Sequence, residues 1–294
     1  MTTLKCRYGD FSIPEQNDLI FNALREYGEW AQEELNLLSR FVCPGDTVLD
    51  VGAFIGTHTR AFSQMVGARG SVYAFEPNEQ SYFELLKNIQ LAPYSNITAY
   101  QIALGSNRRP RHLVQDVLMN IGSSRLSEEG GDVDTITVEV QSLDEIDFSR
   151  IDFIKADIEG MEYDLVVGGI RTISQYMPVV FLEANSLQAA GRILDFAHEM
   201  EYVVFGHASR AFNPDNFNRS TSNMFGEAKE CGLLLIYRDQ LDRWQDTLSS
   251  LKLPIIKTLD NLALLLLNKP QYIHEILGGA GVFEQIASRQ VVIE

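Results

Sequence analysis

Residues 48–59 read VLDVGAFIGTHT, an apolar run that ends in Asp50 and opens onto a loop carrying Gly52 and Gly56. Val48 and Leu49 have the character of a buried strand, and the glycines fall where the chain must turn sharply into a helix. A residue without Cβ takes positive φ and lets a ligand lie directly on the backbone. Further on, a second strand-like run, SVYAF, ends in Glu76. An acid at that place can accept both hydroxyls of a ribose, so the pair of strands predicts a site for an adenosine-containing cofactor. The alternative is a tight strand-to-helix turn that binds nothing.

Spacing narrows the cofactor. Dinucleotide enzymes use G-x-G-x-x-G, which rests a pyrophosphate on a helix N-terminus. Here the spacing is G-x-x-x-G behind an acid. Asp50 would repel a pyrophosphate and could pair, directly or through water, with a cationic amino-acid moiety, which favours S-adenosylmethionine over NAD.

A chain of 294 residues at 45% hydrophobic content can bury one large α/β core. The formal net charge of −16, from 40 acids and 24 bases, gives no broad attraction to a phosphate backbone, so a nucleic-acid partner is not expected. Arg108, Arg109 and Arg111 form a local basic group that reads as a solvated loop. Cys6, Cys43 and Cys231 are too few and too scattered for a disulfide framework or a zinc cluster. The N-terminal MTTLKCRYGDFSIPEQ lacks the charged start and apolar stretch of a signal peptide. These features predict a soluble, cytoplasmic protein without a membrane partner. The apolar run Leu262 to Leu267 is far short of the roughly 20 residues that span a bilayer.

Strands and helices alternate outward from the glycine loop: a lead-in helix over 29–41, strand 47–51, helix 57–66, strand 71–75, helix 78–90 and strand 97–102. Asn78 caps the second of these long helices, with Tyr82, Phe83, Leu86 and Ile89 toward the core. RHLVQDV and TITVEVQ suggest short strands around the polar loop IGSSRLSEEGGDVD. IDFIKAD and PVVFLEAN are buried strands, each followed by a helix, and YVVFG and LLLIY close the sheet around a polar segment over 207–232. Alternation of this kind implies a largely parallel sheet covered on both faces. The expected organisation is a lead-in segment over 1–45, an α/β domain over 46–238 and a helical extension over 239–294. In that extension Ile255, Ile256, Leu259, Leu262, Ala263 and Leu266 predict a helix starting near Pro254, apolar nearly all round. It could pack back on the domain, form a homo-oligomer contact or cover the substrate.

In FIKADIEGMEYDLV, Lys155, Asp157, Glu159 and Glu162 gather at the end of a central strand, where open α/β sheets place ligands. With PGDTVLDVGAFIGTHT, VYAFEPNEQSYFELLKNI, IALG, SLDEI, DFIKADIEGMEYDLVVGG and PVVFLEAN, the chain resembles the FkbM methyltransferases over roughly residues 28–206. These are a branch of the class I S-adenosylmethionine-dependent enzymes. The resemblance implies a Rossmann-like seven-stranded sheet, mostly parallel with the last strand antiparallel, and a cofactor set of Asp50, Gly52, Ala53, Gly56, Thr57, Glu76, Ile102 and Ala103. Asp50, Gly52 and Gly56 would lie on the methionine side, Glu76 at the ribose, and Ile102 and Ala103 near the adenine. Phe54 departs from the asparagine common at that place.

Methyl transfer needs an acceptor held in line and, for a hydroxyl, a group to take its proton. Asp157, Glu159, Glu183, His58 and His207 are candidates at the carboxyl edge, with Asp157, Glu183 and His207 preferred as the catalytic set. Asp157, Glu183 and Asn185 also resemble the metal-binding acids of magnesium-dependent catechol methyltransferases, and oxygen ligands suit Mg²⁺. The plainer reading is that Lys155 neutralises these acids, Glu162 above all. Phe212, Phe217 and Phe225 could line a substrate wall or anchor their loop. The reading that emerges is O-methylation of a small molecule, a sugar or glycan unit, or a secondary metabolite. A cofactor-binding module without catalysis and an NAD-dependent oxidoreductase are the alternatives.

Overall fold

The computed structural model describes residues 2–107, 111–114, 125–127 and 135–267. The chain opens with an antiparallel hairpin of β1 (Thr2–Cys6) and β2 (Gly9–Ile13), then α1 (Leu19–Tyr27) and α2 (Gln32–Leu38). The lead-in helix expected over 29–41 is therefore the shorter α2, preceded by a hairpin and a helix. Asp18 caps α1 by accepting from the amides of Ile20 and Phe21, and Gly28 ends it in the left-handed conformation.

There follow β3 (Thr47–Val51), α3 (Thr57–Val66), β4 (Ser71–Phe75), α4 (Glu79–Gln90), β5 (Ile97–Tyr100), β6 (Ala103–Leu104), β7 (Arg111–Val114), β8 (Arg125–Ser127), β9 (Thr135–Val138) and β10 (Val140–Gln141). After these come β11 (Phe153–Ala156), α5 (Glu162–Gly168), α6 (Ile170–Tyr176), β12 (Val179–Glu183), α7 (Leu187–Glu199), β13 (Tyr202–Arg210), β14 (Lys229–Tyr237), α8 (Leu241–Leu251) and α9 (Leu259–Leu266).

Seven strands form the central sheet in the order β5-β4-β3-β11-β12-β14-β13. β14 runs antiparallel to both its neighbours and the other pairings are parallel, the arrangement the sequence led us to expect. One face packs on α2, α3 and α8 through residues such as Leu38, Phe62 and Trp244. The other packs on α5, α7 and α9 through Leu165, Leu194 and Leu262. One reversal of strand order defines the crevice: β3 leads out to β4 and β5, while β11 and β12 lie on its other side.

Several local expectations shift. In α4 Tyr82 and Ile89 pack on the core as expected, with Leu85 the fully buried residue between them, while Phe83 is 52% exposed. Ile255 and Ile256 are not helical: Ile255 bridges Phe205, and the Ile256 amide donates to the Val204 carbonyl, which covers the free edge of β13. The helix predicted from Pro254 is α9, which buries Leu262 and Leu265 against the domain, and α8 precedes it unanticipated. Strand 97–102 ends at Tyr100. Arg108, Arg109, His274, much of the 115–134 loop and the extension beyond 267 lie outside the described residues. No helix among the described residues is long and apolar enough to cross a membrane.

Candidate active site

The carboxyl ends of β3, β4 and β11 open into a cleft enclosing about 850 Å³, part of it open to solvent. Its wall includes Gly52, Ala53, Phe54, Thr57 and His58 from the first loop, Glu76 from the end of β4, and Ile102 and Ala103 beyond β5. Lys155, Asp157 and Glu159 close it from β11, and Trp30 from the N-terminal segment. Seven of the eight residues expected to hold the cofactor are thus brought to one place or its margin, with Gly56 just behind the wall as the left-handed cap of α3. The exception is Asp50.

Asp50 is fully buried beneath the cleft. Its Oδ2 accepts from the Thr59 hydroxyl at 2.5 Å, and its Oδ1 lies 3.8 Å from Lys155 Nζ. Lys155, its register partner on β11, is also buried and reaches Asp157 at 3.5 Å. Burial alone would drive the ammonium toward neutrality, but Asp157 and Asp50 on either side outweigh it and hold the charge. Asp50 therefore serves as half of a buried ion pair under the loop, which weakens the expectation that it meets the cofactor directly.

Glu76 stands on the cleft wall just past the end of β4. Its Oε1 accepts from the Asn78 amide and its Oε2 from the Phe54 amide, each at 2.8 Å, so the carboxylate is fixed in orientation with lone pairs remaining. Burial pushes its pKa up to about 7 against those two amides. Two ribose hydroxyls would supply the donors that stabilise the charged form. Phe54 holds φ +49°, a conformation asparagine tolerates better than phenylalanine. Its ring stacks on Phe21 at 5.6 Å, a contact that compensates for the backbone it occupies.

Beside the cofactor wall, carboxylate oxygens of Asp157, Glu159 and Glu183 lie within 4.8 Å of one another. Burial raises Glu183, and Asp157 raises it further, so Glu183 keeps its proton and shares it with Asp157. Burial also lifts Asp157, but Lys155 overrides that and keeps Asp157 ionised. Burial, then Asp157 and Glu162, push Glu159 up to about 7. Three oxygen donors at this spacing could take a hard divalent cation. Asp157 and Glu183 of the expected set are joined here by Glu159, and the exposed Asn185 donates to Glu183 at 2.7 Å beside them. Glu162 is not the partner of Lys155 that was expected: it accepts from the amides of Ile158 and Gly160 in the turn after β11, while Lys155 pairs with Asp50 and Asp157.

His207 lies within β13 opposite Gly232, rather than in a loop past its end, because the β13–β14 ladder runs on through polar residues to Arg210 and Lys229. Its buried Nε2 has no hydrogen-bond partner among the described residues, and burial lowers its pKa against the pull of Glu34. It is not on the cleft wall. Phe212 and Phe225 pack on Tyr27, and Phe225 also on Trp30, so these two anchor their loop, while Phe217 is 44% exposed. Sequence reasoning passed over Glu34, whose Oε1 sits 3.0 Å from His58 Nε2. Its helix, α2, packs over β13. Nothing local in EELN marks that contact.

The FkbM methyltransferase domain model matches residues 50–204. Over 159 residues the chain is 27% identical to the hexuronic acid methyltransferase AglP of Haloferax volcanii, an alignment that takes in 53% of this chain and 62% of that protein. Among solved structures, an FkbM methyltransferase from Methylobacillus flagellatus aligns at 20% identity and a TM-score of 0.42, covering 64% of this chain and 43% of that one. Fibrillarin from Aeropyrum pernix, solved with natively bound S-adenosyl-L-methionine, aligns at 12% identity and a TM-score of 0.40, covering 69% and 74%. With its model matched over more than half of the residues, the chain belongs to the FkbM methyltransferase family.

Proposed function

We propose that the protein transfers a methyl group from S-adenosylmethionine to a hydroxyl oxygen of a small saccharide or related metabolite. The observation that carries the cofactor half is Glu76, fixed by two backbone amides at the mouth of a cleft with Ile102 on its wall. The saccharide half is supported by the hexuronic acid methyltransferase of Haloferax volcanii, which spans more than this chain matches.

S-adenosylmethionine supplies a methyl group already activated on a sulfonium. The chain's part is to bind, orient and deprotonate. Glu76 receives the ribose, and Ala53 and Thr57 with the loop backbone flank the amino-acid end. Asp157 and Glu183, one charged and one protonated, offer an acceptor and a donor to a polyol. Should Mg²⁺ bind, Asp157, Glu159 and Glu183 would hold it and it would acidify the acceptor hydroxyl.

Titration of metal-stripped protein with S-adenosylmethionine, S-adenosylhomocysteine and NADH by calorimetry tests the cofactor. Micromolar binding of the adenosyl ligands alone is expected; binding of NADH alone, or of neither, would sink the proposal. Labelled methyl transfer to methyl glucoside, N-acetylglucosamine and glucuronic acid, with and without Mg²⁺, then tests the acceptor. Binding without transfer to any would favour a cofactor-binding module.

A further inference from the structure

We propose that His58 takes the proton of the acceptor hydroxyl, and that Glu34, from the segment preceding the family domain, is the residue that positions its ring. This rests on the methyl-transfer reading above.

His58 stands in the first turn of α3, on the cleft wall, directly after the loop that would hold the methionine end of the cofactor. Its Nε2 and the Glu34 Oε1 are 3.0 Å apart, and both side chains are under 10% exposed. A carboxylate can only accept, so the ring's proton belongs on Nε2 and the lone pair on Nδ1. Nδ1 has no hydrogen-bond partner among the described residues. A base on a cleft wall, oriented by a second group, is the arrangement proton transfer requires.

The neighbouring groups are less suited. Asp157 is held by Lys155 and by the proton of Glu183, which leaves it a weak base. Burial and the neighbouring Asp157 both oppose the charged form of Glu183. Glu159 shares its field with both, so its charged form is opposed by two carboxyl groups. His207 is off the cleft wall, with its Nε2 enclosed.

The step balances. The acceptor O–H bond breaks, its proton passes to His58 Nδ1, and its electron pair remains on the oxygen as the new O–CH₃ bond forms. The pair of the S–CH₃ bond leaves with sulfur, giving the neutral thioether S-adenosylhomocysteine. Glu34 faces the imidazolium that results and stabilises it.

Two measurements decide the proposal, and a control separates it from the cofactor reading. The control is calorimetry with S-adenosylhomocysteine: failure of native protein to bind overturns the function itself. Long-range ¹H–¹⁵N spectra of the histidine rings need no acceptor. They should place the His58 proton on Nε2, a signal missing in His58→Ala and altered in Glu34→Gln. A proton on Nδ1, or a signal indifferent to Glu34→Gln, overturns the proposal. In turnover on the saccharide probes, His58→Ala should lower kcat at least 100-fold and Glu34→Gln at least 10-fold, with S-adenosylhomocysteine affinity within twofold of native. Imidazole should restore part of the His58→Ala rate. The double variant should be no slower than His58→Ala, because a residue acting through His58 has nothing left to position. Additive losses, or a His58→Ala rate near native, reject the assignment.

Discussion

The backbone carbonyl of Asp157 occupies the space where a side chain on Gly52 would begin: a Cβ there would come within 1.9 Å of it. Gly52 also holds φ +81°. The glycine that the sequence assigns to a ligand is thus needed first by the protein, so that the ends of β3 and β11 can close on each other beneath the cleft. Gly52→Ala must carry both the left-handed strain and the displacement of a strand end, and should cost about 3 kcal/mol or more. Urea melts would show it, with cofactor affinity falling in parallel. A variant of native stability that merely bound cofactor poorly would return Gly52 to a pure ligand role.

Lys155 is the only cation among the described residues within 4 Å of either Asp50 or Asp157. Lys155→Met keeps the volume and leaves Asp50 charged and enclosed, a loss of about 3–5 kcal/mol at neutral pH. Adding Asp50→Asn should recover a large part of it. Lys155 has its folded pKa raised above 10.5, so its contribution is complete below that value and is lost only as pH climbs through the folded value. Asp157, with its pKa depressed, loses its contribution as pH falls through its folded value. Thermal melts of the native protein should therefore be steady near neutrality and decline at both ends on account of this pair.

Glu76 has the opposite sign. Its folded pKa, about 7, exceeds the unfolded 4.5, so the folded form binds more protons between those values. Stability of the ligand-free protein accordingly declines across that window, by about 3 kcal/mol from this group, and levels above it. A ribose that donates to the carboxylate favours its charged form. Affinity for S-adenosylhomocysteine should rise with pH, approaching tenfold per unit below pH 7, and then flatten. Glu76→Gln should bind weakly and lose that slope; a pH-independent native affinity would count against Glu76 as the ribose acceptor.

What was legible in the sequence, and what was not, follows from the range of each interaction. β3, β4, β11 and β12 are apolar runs ending in or just before Asp50, Glu76, Asp157 and Glu183, and so could be placed by composition alone. The β13–β14 ladder was cut short because its pairing continues after the apolar residues stop, through His207, Ser209 and Glu230. α1 and α8 had local marks that were passed over: Asp18 and Gly28 bracket one, and Leu241, Trp244 and Leu248 repeat along the other. The contacts Glu34–His58 and Asp157–Gly52 carry no such mark, since each joins segments far apart in the chain and depends on the finished sheet.

Glu29 is another contact of that kind. Its carboxylate accepts from Arg7 Nε at 2.7 Å, Asn213 Nδ2 at 2.7 Å and the Phe217 amide at 2.8 Å, while being only 6% exposed. One side chain thereby ties the turn of the N-terminal hairpin to the loop between β13 and β14. The same loop donates from the Asn218 amide to the Tyr27 carbonyl and from the Met224 amide to the Tyr27 hydroxyl. Glu29→Ala strands three donors, at about 1–3 kcal/mol for each that water fails to reach. The central sheet does not depend on the clasp, so the damage should stay local. Limited proteolysis within 211–228 should accelerate at least tenfold, and S-adenosylhomocysteine affinity should hold within about twofold. The KM of any saccharide acceptor should rise, because Trp30 on the cleft wall leans on Phe225 of that loop. Cleavage at the native rate would mean that the aromatic contacts of Tyr27 hold the loop by themselves.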